Sequence, residues 1–243
     1  MKSVSLIIPC FNYEDLIVLK IKKLIKKIKK FKLKYQIILI DDNSSDNTFF
    51  TLKKNFKKIK NITIIKNSTN YGKSYSIRKA LKITKYNHII LIDCDLPYFE
   101  KIDEIVKKMK KNIDFVSVNR RLKTSKLISK NLSIYQVLRH YIGQFISKII
   151  NIMLNLNIEA CDTQAGLKGF KKNKYFKINQ FVSNRFFLDL EIFFIYIKYK
   201  KKIHFIPVKY EIAKKSSIKI FDLKNLFIIF ELIKVITKCK KLK

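Results

Sequence analysis

The chain has 243 residues, and 53 Lys and Arg against 18 Asp and Glu give it a formal charge of +35. Hydrophobic residues make up 48% and aromatics 13%, enough to build a core and too much for a disordered basic tail. Four glycines and three prolines exclude collagen-like and low-complexity classes and disfavour a glycine-rich phosphate loop.

The apolar run Val4–Pro9 predicts a buried strand that ends in the polar turn Cys10-Phe11-Asn12-Tyr13-Glu14. Ile21, Leu24, Ile25 and Ile28 then fall at i, i+3, i+4 and i+7, a helical stripe whose other faces are filled with solvated lysines. Gln36–Ile40 reads as a second strand, stopping at Asp41-Asp42-Asn43-Ser44-Ser45-Asp46. Ser45 or Asp46 is placed to cap a helix with the stripe Phe49, Leu52, Phe56, Ile59. Strand Ile62–Ile65 leads through Asn70-Tyr71-Gly72-Lys73-Ser74 to a helix carrying Ile77, Ala80, Leu81 and Thr84. Strand His88–Ile92 runs into Asp93-Cys94-Asp95, a helix carries Ile102, Ile105, Val106 and Met109, and Asp114–Val118 reads as a fifth strand. Strands alternating with amphipathic helices predict an α/β fold with a mostly parallel, doubly wound sheet. Its ligand site is expected beyond the carboxyl ends of the strands.

The second half loses that rhythm. Residues 131–156 read as a long helical or paired-helical region interrupted around Gly143, and Cys161–Phe170 reads as a loop. A helix from about Asp189 to Tyr199, a strand Ile203–Tyr210 and an amphipathic helix Leu223–Lys238 complete the chain. No repeat or flexible linker interrupts it, so one domain over residues 1–243 is expected.

Cys10, Cys94, Cys161 and Cys239 are widely spaced, without a zinc-like pattern, and are expected to be reduced thiols. Pro9 and Asn12 end the first apolar run too early for a secretory signal, and no stretch of 18 uncharged apolar residues predicts a membrane span. A cytoplasmic protein is expected. Only five of the basic residues are Arg, which argues against specific nucleic-acid readout, although the charge still draws the chain to anionic bilayers and phosphorylated substrates.

Gly72-Lys73-Ser74 looks like the end of a P-loop, but position 67 holds Asn where that motif needs Gly. No GxGxxG occurs either. His88, His140 and His204 lack metal-ligand spacing, and His88 and His204 read as strand residues. The sharpest signal is Asp93-x-Asp95, because residues i and i+2 of an extended segment point the same way. Two carboxylates converging at a strand end repel each other unless a cation such as Mg²⁺ or Mn²⁺ joins them, and such an ion bridges to a diphosphate. Asp41-Asp42 at another strand end adds acceptors suited to a base N–H or to ribose hydroxyls.

Ile7 through Glu14, Asp41 through Thr48, Asn70 through Ser74 and Asp93-Cys94-Asp95, in this order and spacing, resemble a family-two glycosyltransferase of GT-A fold. Asp162 through Phe170 and Asp189-Leu190-Glu191 narrow the resemblance to the branch that makes dolichyl- or polyprenyl-phosphate sugars, nearer the glucose than the mannose synthases. The resemblance runs from about residue 3 to 219. It implies an inverting, metal-dependent transfer of a hexose from a nucleotide sugar, of UDP-glucose or GDP-mannose type, to a polyprenyl phosphate. Residues 1–120 would form the nucleotide-sugar half and 121–243 the acceptor half.

In this reading Pro9, Phe11, Asn12, Glu14, Asp41, Asp42 and Lys73 bind the donor nucleotide, and Asp93 and Asp95 hold Mg²⁺ or Mn²⁺ and the donor diphosphate. Arg120 and Arg139 meet phosphate groups, Asp162, Gln164 and Lys168 shape the sugar and acceptor pocket, and Lys215 to Lys219 form a basic loop over the site. Pro97 stands where mannose synthases often carry a metal-ligating Gln, Leu167 replaces a usual Phe, and Lys214-Lys215 replace a Pro-Gly type turn. An acceptor hydroxyl on a cell-surface glycan or lipopolysaccharide is the alternative; it needs a general base, for which Asp189 or Glu191 is placed. A non-enzymatic basic protein binding nucleic acid or a membrane surface is the second alternative. Lysine-flanked amphipathic stretches at 131–156 and 223–238 would lie in a bilayer interface, attaching the protein to the inner face of the membrane.

Overall fold

Apolar runs without polar alternation need cover on both faces of a sheet, and amphipathic helices supply it. The computed structural model describes residues 1–129, 132–156, 158, 162–212 and 226–241. Its first half forms β1 (Ser3–Cys10), β2 (Lys34–Asp41), β3 (Ile62–Lys66), β4 (His88–Ile92) and β5 (Phe115–Asn119). Between these strands stand α1 (Glu14–Lys30), α2 (Thr48–Phe56), α3 (Lys73–Lys82) and α4 (Ile102–Lys110). Each matches an element expected from the sequence, and Ile21, Leu24, Ile28, Leu52 and Phe56 are buried as their spacing requires. Ile59 lies past the end of α2 and is exposed, so that stripe is one residue shorter than expected.

The second half adds β6 (Lys126–Leu127), α5 (Ile134–Met153), β7 (Leu167–Lys171), α6 (Leu188–Lys198), β8 (Ile203–Pro207), β9 (Lys209–Tyr210) and α7 (Leu226–Lys241). The main sheet has the order β3-β2-β1-β4-β7-β5-β8, and β6 pairs with β9 in a separate ribbon. Every neighbouring pair in the main sheet is parallel except those of β7, which runs antiparallel to both β4 and β5.

Three expectations change. Cys161–Phe170 is not all loop, because Leu167–Lys171 inserts as the antiparallel strand between β4 and β5. The region around Gly143 is one unbroken helix, started by a reciprocal capping box between Ser133 and Gln136. Ile203–Tyr210 divides at Val208 into β8 in the main sheet and β9 in the ribbon.

Strand alternation sorts the core into two layers. Ile7, Ile38 and Ile40 pack with Ile77 of α3, with α6 and with Val235 and Ile236 of α7. Leu6, Ile8, Ile37 and Leu39 pack under α1, α2 and α4. From Leu188 to Tyr196, α6 is buried on every side, so its two acids, Asp189 and Glu191, must find partners inside the protein.

Candidate active site

The carboxyl ends of β1, β2, β4 and β5 lie along one edge of the sheet. The antiparallel β7 adds its amino end to that edge, bringing residues 162–166 there. The helix starts of α3 and α6 converge on it through backbone bonds, Ser74 N to Arg185 O at 3.1 Å and Tyr75 N to Asn184 O at 2.7 Å.

At the β1–β2 end of this edge the acids are bound by the protein's own donors. Asp41 is fully buried and accepts from the amide and hydroxyl of Ser44. Asp42 accepts from Asn67 Nδ2 at 2.7 Å, Tyr71 N at 3.1 Å and Gly72 N at 2.7 Å. Asn67 also donates to Ser76 Oγ at 2.8 Å, so the residue that breaks the P-loop pattern ties the loop to α3. Gly72 has φ of +102°, and a Cβ there would sit 2.8 Å from Arg185 Cα and 2.9 Å from Asn184 O. Asn12, at φ +49°, accepts from Ser45, and Glu14 accepts from the amide of Asn47. Asp46 caps the loop through Thr48 N at 2.9 Å. Pro9, the last residue but one of β1, pairs with Ile40, and the Phe11 ring projects into solvent at this rim.

Around β4 the acids meet cations instead. Lys73 Nζ lies 2.7 Å from Asp93 Oδ1 and 3.9 Å from Asp189 Oδ2, and Lys168 Nζ lies 2.8 Å from Asp189 Oδ1. These four groups form an alternating chain, Asp93, Lys73, Asp189, Lys168. Lys73 is the first residue of α3, where the helix dipole disfavours a cation. Despite burial, the Asp93 and Asp189 carboxylates push its ammonium well above the usual lysine value. Lys168 sits in a central strand with Nζ also donating to Thr163 O at 3.0 Å. Burial, joined by the charge of Lys73, lowers its pKa against the pull of Asp189.

Asp95 differs from Asp93. Among the described residues its carboxylate has no ion pair, and Lys20 Nζ reaches only its backbone oxygen, at 2.9 Å. Desolvation by burial and the like charge of Asp93 raise the Asp95 carboxyl above the ordinary value. A cation seated between the two carboxylates relieves that repulsion, so their chemistry fits Mg²⁺ or Mn²⁺. The described residues contain no group of three or more His, Cys, Asp or Glu that could hold a metal, and two carboxylates leave positions for diphosphate oxygens and water. Gly166 closes over Asp93: its carbonyl accepts from Asp93 N at 3.0 Å, and a Cβ there would lie 2.7 Å from Asp93 Oδ2. Cys10 ends β1 next to this turn, and its thiol is pushed up by hydrogen bonding with Cys94 and by burial.

On the β5 side, Asp162 receives Arg120 N, Nε and Nη2 at 2.9, 2.8 and 2.7 Å. Burial would raise the Asp162 carboxyl, but the fork of Arg120 outweighs it and holds the group below the carboxylate range. The Arg120 side chain keeps about a third of its surface exposed. Gln164 is exposed at the same edge, and Arg139 lies half-buried on α5. Lys215 and Lys219 lie outside the described residues.

Glu191, two residues after Asp189, points away from it as helical geometry requires. It accepts from Val182 N at 2.8 Å and Ser183 N at 2.9 Å, while burial raises its carboxyl. The sequence reading missed this loop. It also gave no role to Ser74, Ser183 and Glu231, which carry no spacing signal because their long-range contacts span 45 to 114 residues.

Residues 5–176 match the family model Glycosyl transferase family 2. A dolichyl-phosphate beta-glucosyltransferase of Dictyostelium discoideum is 26% identical over 205 residues, covering 79% of this chain and 61% of that protein. An undecaprenyl-phosphate 4-deoxy-4-formamido-L-arabinose transferase of Photorhabdus laumondii is 30% identical over 135 residues, covering 55% of this chain and 42% of that protein. The chain spans less than half the length of several curated relatives that it matches. Glucosyl-3-phosphoglycerate synthase of Mycobacterium tuberculosis, solved with Mn²⁺, UDP-glucose and phosphoglyceric acid, has a TM-score of 0.62 at 12% identity. The match covers 98% of this chain and 80% of that one. At that identity the likeness establishes the fold, the GT-A-type sheet expected from the sequence.

Proposed function

Because the chain belongs to glycosyl transferase family 2, we propose that it moves a hexose from a nucleotide sugar to a polyprenyl phosphate, inverting the anomeric carbon. The relatives that act on dolichyl and undecaprenyl phosphates support this acceptor class. Residues 1–120 serve the donor and residues 121–243 the acceptor.

The observation that carries a phosphate acceptor over a hydroxyl is the state of the two carboxylates placed to act as bases. Asp189 is buried between Lys168 and Lys73, and Glu191 is spent on loop amides. Carboxylate oxygens already occupied by ammonium groups or backbone amides are poorly placed to take a proton from an acceptor hydroxyl. A lipid monophosphate is already ionised at pH 7, its second pKa being about 6, so its oxygen attacks without losing a proton. The bond from the anomeric carbon to the departing nucleoside diphosphate breaks as the bond to the acceptor oxygen forms.

Asp93 and Asp95 would hold Mg²⁺ or Mn²⁺, which neutralises charge on the donor diphosphate. Arg120, Lys73 and Lys168 add fixed positive charge around the two phosphate-bearing substrates. The rim of Pro9, Phe11, Asn12 and Glu14 receives the base and ribose, with Asp41 and Asp42 shaping that rim through Ser44, Tyr71 and Gly72. Asp162, Gln164, Arg139, Lys215 and Lys219 serve the acceptor side.

Among the described residues no helix is long and apolar enough to cross a membrane. α5 exposes Ile134 (89%), Tyr141 and Phe145, and α7 exposes Phe230 (70%) and Ile233. With a charge of +35, these faces suit the interface of an anionic bilayer, and we place the protein peripherally on the cytoplasmic face of the membrane.

The test is transfer of labelled sugar from UDP-glucose and GDP-mannose to a polyprenyl phosphate in mixed micelles, with and without Mn²⁺. One donor is expected to transfer with Mn²⁺ and to raise the melting temperature. Asp95→Ala is expected to lose both effects while remaining folded. Transfer to a glycan hydroxyl but not to the lipid phosphate would overturn the acceptor, and absence of any donor-dependent transfer or thermal shift would overturn the enzyme.

A further inference from the structure

Five consecutive amides, Val182 to Phe186, are each accepted by a carboxylate, and the two carboxylates come from different helices. Glu191 of α6 takes Val182 N and Ser183 N. Glu231 of α7 takes Asn184 N at 2.6 Å and Arg185 N at 2.7 Å on Oε1, and Phe186 N at 3.1 Å on Oε2. Its Oε1 also receives Ser183 Oγ at 3.0 Å. A carboxylate has about four acceptor positions, so Glu231 is filled by this segment.

The carbonyl side of the same segment faces the start of α3. Asn184 O and Arg185 O accept from Tyr75 N and Ser74 N. Ser74 Oγ receives Leu188 N at 3.2 Å and lies 3.1 Å from Ser183 Oγ, which in turn receives Phe187 N at 2.8 Å. Arg78 of α3 holds Phe181 O at 2.8 Å and the side chain of Asn184. The strip therefore has Glu231 on one side and the first turn of α3 on the other, and it flows into the first turn of α6. Those two turns carry Lys73 and Asp189.

We propose that Glu231 is a positioning residue: from the C-terminal helix it fixes the 183–187 strip and so sets Lys73 and Asp189 in register with Asp93. Its part in sugar transfer rests on the function proposed above, whereas the register itself does not. A loop presenting its amides in one direction has no internal partners for them, and unpaired it would relax towards water. Glu231 removes that freedom without touching a substrate-facing group. The chemistry at Asp93 thus depends on a side chain 138 residues further along the chain.

The test compares Glu231→Gln, Glu231→Ala and Glu231→Asp with the wild-type chain in two measurements. Glutamine keeps the size but turns a donor towards amides that also donate. Hydrogen exchange should accelerate at least tenfold in Glu231→Gln at residues 183–188 and at residues 73–76, which Glu231 does not touch. Loss of protection confined to α7 and the strip would overturn the register. In sugar transfer, kcat should fall about 10- to 100-fold in Glu231→Gln and Glu231→Ala, with donor KM within threefold and partial recovery in Glu231→Asp. An unchanged kcat in folded variants would overturn the role in transfer. If the wild-type chain transfers no sugar, the proposed function falls while the exchange measurement still decides the register.

Discussion

Two groups of acids stand at the same edge of the sheet and are handled in opposite ways. Asp41 and Asp42 are satisfied by hydrogen bonds from amides, a hydroxyl and an amide side chain. Asp93 and Asp189 are paired with ammonium groups, and the Asp95 carboxylate forms no ion pair among the described residues. Hydrogen bonds from the backbone fix a loop and leave nothing to exchange with a ligand. Ammonium groups on flexible stems can pass from a carboxylate to an incoming phosphate, and a carboxylate raised by a like neighbour invites a metal. Position on the sheet edge therefore does not separate scaffold from chemistry; the kind of partner does.

The largest effect should come from the cationic group. Asp93→Asn removes the charge that anchors Lys73 and half of the carboxylate pair, and kcat is expected to fall about 10²- to 10³-fold. Its melting temperature should change little, since Lys73 retains Asp189. A drop in stability matching the drop in activity, measured by thermal denaturation beside steady-state kinetics, would erase the distinction between the two groups.

Next in size is the pair that combines both modes, Arg120 and Asp162. Asp162→Asn leaves the guanidinium without its counter-charge and should cost about 2–3 kcal/mol, less than a wholly buried pair because Arg120 is partly exposed. The folded-state carboxyl of Asp162 is held below its ordinary value. Its stabilisation is therefore present above the ordinary carboxylate pKa of about 4 and is lost as pH falls through the lowered folded value. Urea denaturation of both proteins should show a gap that is full at pH 7 and closes in acid. A gap independent of pH would mean that packing, not charge, holds the pair.

Asp42→Asn probes the scaffold group. It turns a donor towards Gly72 N or Tyr71 N and should cost about 1–3 kcal/mol of stability, while the folded fraction keeps kcat within about tenfold. A loss of kcat as deep as that of Asp93→Asn, at unchanged stability, would move Asp42 into the chemical group.

The same contrast explains what the sequence made legible. The first five strands are uninterrupted apolar runs separated by helical stripes, and their ends located Asp41, Asp42, Asp93 and Asp95 directly. β7 was hidden because Lys168 and Gly169 interrupt its apolar residues. Lys168 is buried only because Asp189 waits 21 positions later. Gly169 is required because a Cβ would come 2.5 Å from Met109 Sδ of α4. Neither condition has a local period. The roles of Lys73, Asp162 and Glu231 likewise depend on partners that only the folded sheet brings together.

Gly143 supplies the smallest and most local test of that lesson. Its sequence context suggested a break, yet α5 runs through it without interruption. Among the described residues, a Cβ at this position would meet only Arg121 Nη2, at an ordinary 3.7 Å. Glycine within a helix gives up backbone entropy that alanine retains less of when unfolded, so Gly143→Ala should stabilise the protein by about 0.5–1 kcal/mol. A destabilisation of similar size in urea titration would show that the helix needs a flexible point there, and the two-helix reading of the sequence would regain its place. Stabilisation with unchanged transfer would instead make Gly143 a neutral residue, unlike Gly72 and Gly166, whose missing side chains are each required by an atom under 3 Å away.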